Sequence, residues 1–201
     1  MKERGIIFNA EMVRAILDGR KTQIRRIIKS EPATHNFRGW IMSSTRAKDE
    51  GKACWAIGDS PLLKEPIRLN CPLGKVGDRL YVRETFKAGV CTESTIAYKA
   101  THKPSDLEEG WYEEIKWTPS IHMPRRYSRI TLEITNIRVE RLNDISNDDA
   151  KSEGCWYGRG GGTPDKALTP SDQFPTLWEE IYGDGSWSSN PWVWVIEFKR
   201  I

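Results

Sequence analysis

The residue types best placed to do chemistry are a lysine and three arginines crowded into Arg20-Lys21-Thr22-Gln23-Ile24-Arg25-Arg26, just after Gly19. A lysine works as a base or nucleophile once its pKa falls from about 10.4 toward neutrality, which takes burial or adjacent positive charge. Arg20, Arg25 and Arg26 are placed in sequence to supply that charge. The same cluster suits electrostatic contact with phosphate, and a solvated charged face is the plain alternative. Residue types alone leave Lys21 open between proton chemistry and phosphate contact. A second basic patch, Pro124-Arg125-Arg126, follows His122 in a non-helical stretch. Arg125 is thus a candidate ligand contact, and His122 either rims a pocket or serves structure. Nine tryptophans are many for this length. Trp111, Tyr112 and Trp117 stand in a polar, poorly periodic stretch, and an exposed ring beside a cation stacks a nucleobase for about 1–3 kcal/mol. Trp117 is the candidate for that role, whereas Trp178, Trp192 and Trp194 are placed like core residues.

These side chains need a scaffold. Gly5-Ile6-Ile7-Phe8 reads as a short strand, and Asn9 as the cap of a helix over Ala10–Leu17 whose Met12, Val13, Ile16 and Leu17 share a face. Gly19 stops that helix. The segment Arg20–Arg26, polar except for Ile24, is expected to cross the surface before Ile27-Ile28 returns to the core. Between Ser30 and Asn70, Trp40, Ile41, Trp55 and Ile57 suggest an accessory hairpin. Leu73–Asp78 reads as a turn. Arg79–Phe86 follows as an alternating strand with Leu80, Val82 and Glu84 on one side and Tyr81 and Arg83 on the other. Thr95–Ala100 is another strand candidate, and Glu108–Thr118 shows no clear pattern. The strongest strand signal is Ser128–Leu142, whose alternation changes phase near Asn136 and implies a bulge or bend. Ser146 caps a short helix, Asn147–Glu153, ended by Gly154. Tyr157–Pro164 is a glycine-rich loop without the GxxxxGK[ST] pattern of a phosphate-binding loop. Asp172–Ile181 is an amphipathic helix with Phe174, Leu177, Trp178 and Ile181 inward, and Trp192–Phe198 is the last strand. This order has no regular βαβ repeat. It predicts an α+β fold, a small β-barrel decorated by short helices.

The bulk numbers set bounds. The chain has 201 residues, enough for one sizeable domain with a core of its own. Its 31 basic and 28 acidic residues leave a net charge of +3, so bulk charge does not point to nucleic acid. Distribution says more: eight basic residues stand against three acidic ones between Met1 and Lys29. Cys54, Cys71, Cys91 and Cys155 are widely spaced, with no CxxC pair and no nearby His at metal-ligand spacing, which argues against a structural zinc site; no metal and no cofactor are expected. No apolar run reaches the ~20 residues of a membrane span and the N-terminal residues lack the apolar core of a signal peptide, so a cytoplasmic protein with reduced thiols is expected.

The string Gly19-Arg20-Lys21-Thr22-Gln23-Ile24-Arg25-Arg26 after a short helix resembles the GxKxxExR signature of the ASCH superfamily, which has the PUA-like fold. The resemblance continues in Gly77-Asp78-Arg79-Leu80-Tyr81-Val82-Arg83-Glu84, in Ile130–Val139, in Asp148–Gly154 and in Trp194–Lys199. It is similar in particular to ASCH proteins encoded by prophages, which carry comparable insertions, here at about 30–70, 88–123 and 155–172 of a single domain. Ile24 departs from the signature, standing where the family has Glu, or Thr in its acetylcytidine amidohydrolases. In those enzymes the motif Lys, the Thr and a Glu of the later helix are catalytic. The resemblance implies Lys21 and Glu153 as two members of that set, with Thr22, Ser120 or Ser128 left to supply the hydroxyl. Glu153 would then be a general acid or base, against its plain reading as a surface carboxylate at a helix end. Arg26 is either a ligand contact or a structural partner of Glu84.

Three functions follow as expectations. The first is a binding module for RNA or a modified nucleoside, with Arg20, Lys21, Arg25, Arg26, Arg83, Glu84, Trp117, His122 and Arg125 around the ligand. The second is a metal-free amidohydrolase or ribonuclease centred on Lys21 and Glu153. The third is a phage protein-interaction module whose partner nothing in the sequence specifies. Ile24 removes a polar group from the enzyme signature and leaves the basic cluster intact, which favours the first.

Overall fold

Strand β1 (Glu3–Ile7) opens the chain in the computed structural model, which describes residues 1–29, 35–57, 64–90, 95–103, 115–155 and 169–201. Helix α1 (Ala10–Leu17) begins where the Asn9 side chain accepts from the Met12 N–H at 2.8 Å, and it ends before Gly19, whose φ of +73° only glycine takes without strain. Its Val13 and Ile16 are buried as the periodicity requires.

The main sheet has five strands in the order β1, β6 (Arg79–Arg83), β9 (Thr131–Arg141), β10 (Trp192–Arg200) and β2 (Gln23–Ile27). Only the β1–β6 pair is parallel. The sheet is open: β1 and β2 are its edges, and no ring of strands closes among the described residues. The fold is α+β as expected, with an open sheet where a barrel was predicted. The phase change near Asn136 is a register shift, for Glu197 faces Asn136 whereas Phe198 faces Ile134. The expected accessory hairpin is a three-stranded sheet of β3 (Asn36–Trp40), β4 (Ala53–Ile57) and β5 (Lys64–Leu69). Strands β7 (Phe86–Ala88) and β8 (Ile96–Tyr98) form a further pair. The glycine-rich run, Cys91, Trp111 and Tyr112 lie outside the described residues.

Strand β10 explains the two-sided packing. Alternation sends Trp194 and Ile196 into one core and Val193 and Val195 into another. The first core holds α1 and the small sheet, where Trp55 meets Trp194 edge-on at 6.1 Å between ring centroids. The second lies beneath α2 (Asn147–Ser152) and α3 (Pro170–Tyr182), which contribute Ala150, Phe174 and Trp178. In α3, Ile181 is 43% exposed, so it belongs to the outer face and not to the inward set predicted for it. No helix among the described residues is long and apolar enough to cross a membrane.

Candidate ligand site at Lys21, Arg25 and Glu153

The segment expected to run over the surface is instead β2, hydrogen-bonded along β10. Its pattern is inverted relative to an ordinary strand. Lys21, Gln23 and Arg25, two residues apart, turn to the face that α2 covers, and Ile24 turns to the opposite core. All four are buried. Ile24 lies opposite Ile196 in register, so the residue that departs from the signature is a packing residue here.

Helix α2 brings the carboxylates. The Ser146 hydroxyl accepts from the Asp149 N–H at 3.1 Å and fixes the start of the helix. Asp149 and Glu153, four residues apart, then project toward β2. Glu153 closes the helix, and Gly154, at φ +97°, turns the chain away. Backbone bonds lock the junction: the Lys21 N–H donates to the Ala15 carbonyl at 3.0 Å and the Thr22 N–H to the Ser152 carbonyl at 2.8 Å.

The Lys21 Nζ donates to Glu153 Oε2 at 2.7 Å and to the Glu153 carbonyl at 2.9 Å, with the two side chains 1% and 6% exposed. Arg25, fully buried, lies between Glu153 at 3.5 Å, Asp149 at 3.2 Å and Glu140 at 3.4 Å, and donates to Gln23 as well. Its Nε–H has no partner among the described residues. Gln23 donates to Asp149 at 2.8 Å, and Arg138 reaches Asp149 at 2.6 Å, Glu140 and Glu197. Burial works against the Asp149 carboxylate, but the Gln23 and Arg138 hydrogen bonds and the charges of Arg25 and Arg138 outweigh it and hold its pKa at about 2. Burial likewise opposes the Arg138 cation, and its bonds to Glu140 and Asp149 more than offset this and push its pKa above the ordinary value. Three cations thus face four carboxylates, a surplus of one negative charge.

Beside this cluster α3 supplies rings. The Arg25 guanidinium lies 5.8 Å from the centre of Phe174, and Trp178 stacks on Tyr182 at 4.2 Å. Between them is a crevice of about 20 Å³ touched by Arg25, Arg26, Glu153, Phe174, Trp178 and Tyr182, room for about one water-sized group. Arg26 donates to the Tyr182 hydroxyl at 3.2 Å. These two residues also line a larger cleft, of about 490 Å³, together with Lys29, Leu69, Leu73 and Trp194.

Of the residues proposed from sequence, Lys21, Arg25, Arg26 and Glu153 come together. The others do not join them. Arg20 pairs with Asp18 at 2.8 Å. Thr22 is exposed, and among the described residues no hydroxyl bonds to Lys21 or Glu153. Ser128 donates to the Ile130 carbonyl at 3.2 Å, and Ser120 opens a 3-10 turn with the exposed His122. Arg83 is held by the carbonyls of Met123, at 3.1 Å, and Ile121. Glu84 is not the partner of Arg26: it takes a bidentate pair from Arg129, both bonds 2.9 Å. Arg125 pairs with Glu3 at 2.8 Å over the ring of Tyr81, and half-buried Trp117 meets His102 edge-on at 5.6 Å. Sequence reading missed Gln23, Glu140 and Arg138. The alternation Lys21-x-Gln23-x-Arg25 was the available signal, obscured because a buried strand face made of polar residues reads like a loop.

No family model matches the chain, and no curated relative matches it. Among solved structures, the chain is similar to the high-resolution crystal structure of an ASCH domain from Lactobacillus crispatus JV V101, with a TM-score of 0.38 and 14% identity over 99% of this chain and 79% of that one.

Proposed function

We propose that the protein recognises a nucleobase, in RNA or in a modified nucleoside, through the cluster of Lys21, Arg25 and Glu153. The observation that carries this reading is the burial of three charged side chains beside a ring-lined crevice. Buried ions are costly to a fold, and replacing them with apolar residues is often neutral or stabilising. Such a group buried behind a concave, aromatic surface fits ligand recognition better than stability. An unpartnered Arg25 donor and a carboxylate edge match the acceptor and amino groups of a base. The crevice admits a substituent of the base, not the whole ring. Isothermal titration with cytidine, acetylcytidine and a short single-stranded RNA tests the reading. Binding of one or more of them, weakened at least tenfold in Glu153→Gln, is expected. Absence of binding to all three would overturn it.

A second reading is hydrolysis of an acylated cytosine amine, favoured by the 2.7 Å contact between Lys21 Nζ and Glu153 Oε2. At that distance a proton passes directly between the two groups. In such a reaction water adds across the acyl C–N bond, its hydroxyl to the carbonyl carbon and a proton to the departing amine, giving acetate and cytidine. Chromatography of acetylcytidine incubated with the protein decides this. Turnover that survives Lys21→Ala would remove Lys21 from the reaction.

A further inference from the structure

Resting on the nucleobase reading, we infer that the ligand carries phosphate, and that the cleft at Arg26 and Lys29 is where the phosphate and sugar of a nucleotide unit lie. The cleft, at about 490 Å³, falls within the usual size of small-ligand pockets. It adjoins the crevice at Glu153 through two shared residues, Arg26 and Tyr182.

Charge separates the two compartments. The cluster behind the crevice has four carboxylates to three cations, so a phosphate is repelled there. The cleft is lined by Arg26 and Lys29 and, among the described residues, by no acidic side chain. Neither cation meets a carboxylate among the described residues; Arg26 has the Tyr182 hydroxyl, and Lys29 is exposed. The other basic residues of the segment are all engaged, Arg20 by Asp18, Lys21 by Glu153 and Arg25 by Glu140, Asp149 and Glu153. Local alternation produces this division. Arg25 turns toward α2, and Arg26, one residue on, reaches the cleft. Tyr182 and the Leu69 and Leu73 side chains offer a wall on which the C–H face of a ribose packs, and two cations clear of carboxylates among the described residues offer the phosphate site. A ligand with an amine- or amide-bearing base at one end and an anion at the other fits both compartments at once.

The test compares each nucleoside of a panel (adenosine, cytidine, guanosine, uridine and acetylcytidine) with its own 5′-monophosphate, by titration calorimetry in low salt, with inorganic phosphate and a trinucleotide RNA alongside. A base that binds is expected to bind at least tenfold more tightly as the monophosphate. In the doubly substituted R26Q/K29Q protein that preference, read as the ratio of the two affinities because Arg26 also touches the crevice, falls below threefold. Lys29→Gln alone, at an exposed position, gives an intermediate preference and a thermal melt like that of the unsubstituted protein. A trinucleotide preferred over the monophosphate assigns the unit to an RNA strand, and the reverse assigns it to a free nucleotide; either agrees with the inference. Equal affinity for nucleoside and monophosphate overturns the inference and leaves the nucleobase reading standing. The phosphate site is equally overturned if the preference survives in R26Q/K29Q, or if inorganic phosphate binds as tightly as the nucleotide. Failure of every nucleoside and nucleotide to bind overturns both.

Discussion

Lys21 and Glu153 hold one another where water does not reach, so removing one strands the other. Lys21→Met leaves the Glu153 carboxylate with only Arg25, at 3.5 Å, among the described residues, and a cost of about 3–5 kcal/mol is expected in urea denaturation. Lys21→Met combined with Glu153→Leu is expected to regain much of that loss. A single substitution costing under about 1 kcal/mol would show that the pair is already open to solvent. Asp149 gives a pH signature. Its folded-state pKa of about 2 lies below the ordinary 3.8. Its stabilisation is therefore fully present above pH 3.8 and lost as pH falls from there through about 2. Asp149→Asn is expected to lower stability by about 1 kcal/mol at neutral pH, less than the full shift because water partly screens this carboxylate, with the difference from the parent protein shrinking as pH falls through about 2 in denaturation series. At this scale the sequence was half legible. The resemblance singled out Lys21 and Glu153, but Glu140 and Arg138, which complete the cluster around Arg25 and Asp149, come from β9 and carry no local mark.

The helices were legible and the strand beneath them was not, for one reason. Asn9, Ser146 and the glycines at 19 and 154 mark helix ends chemically, whereas β2 and the residues leading into it bury Lys21, Gln23 and Arg25 against the usual rule that polar residues face water. A strand whose partners are charged side chains of another element cannot be read from hydrophobic alternation. Its dependence on α2 is testable. Ser146→Ala removes the cap and is expected to cost about 1 kcal/mol, with faster amide hydrogen exchange at Glu153 and Gly154 than in α1. Gly154→Ala places a Cβ at 3.5 Å from Ala15 and forces a left-handed φ on a residue that resists it, so a loss of at least about 1 kcal/mol is expected. A neutral result would mean that the α2 end is free to relax.

Across the whole molecule, the α+β class was legible from the order of elements, but the strand order was not. Strands β1 and β6, and β2 and β10, pair across long stretches of the chain, and such long-range pairing leaves no trace in local periodicity. Strand β10 is the centre of this arrangement, bonded on one side to β9 and on the other to β2. Deleting residues 192–201 is expected to abolish the cooperative thermal transition, whereas a sharp melt in the truncated chain would show that the remaining strands suffice. The position of β10 also sets a schedule for synthesis. Lys21 and Arg25 emerge from the ribosome well before β10, and among the described residues β2 has no strand to lie against until that nine-residue strand is out. A nascent chain that has not yet extruded β10 therefore displays its basic segment with no strand to order it, and the cluster of Lys21, Arg25 and Glu153 assembles all at once when β10 emerges.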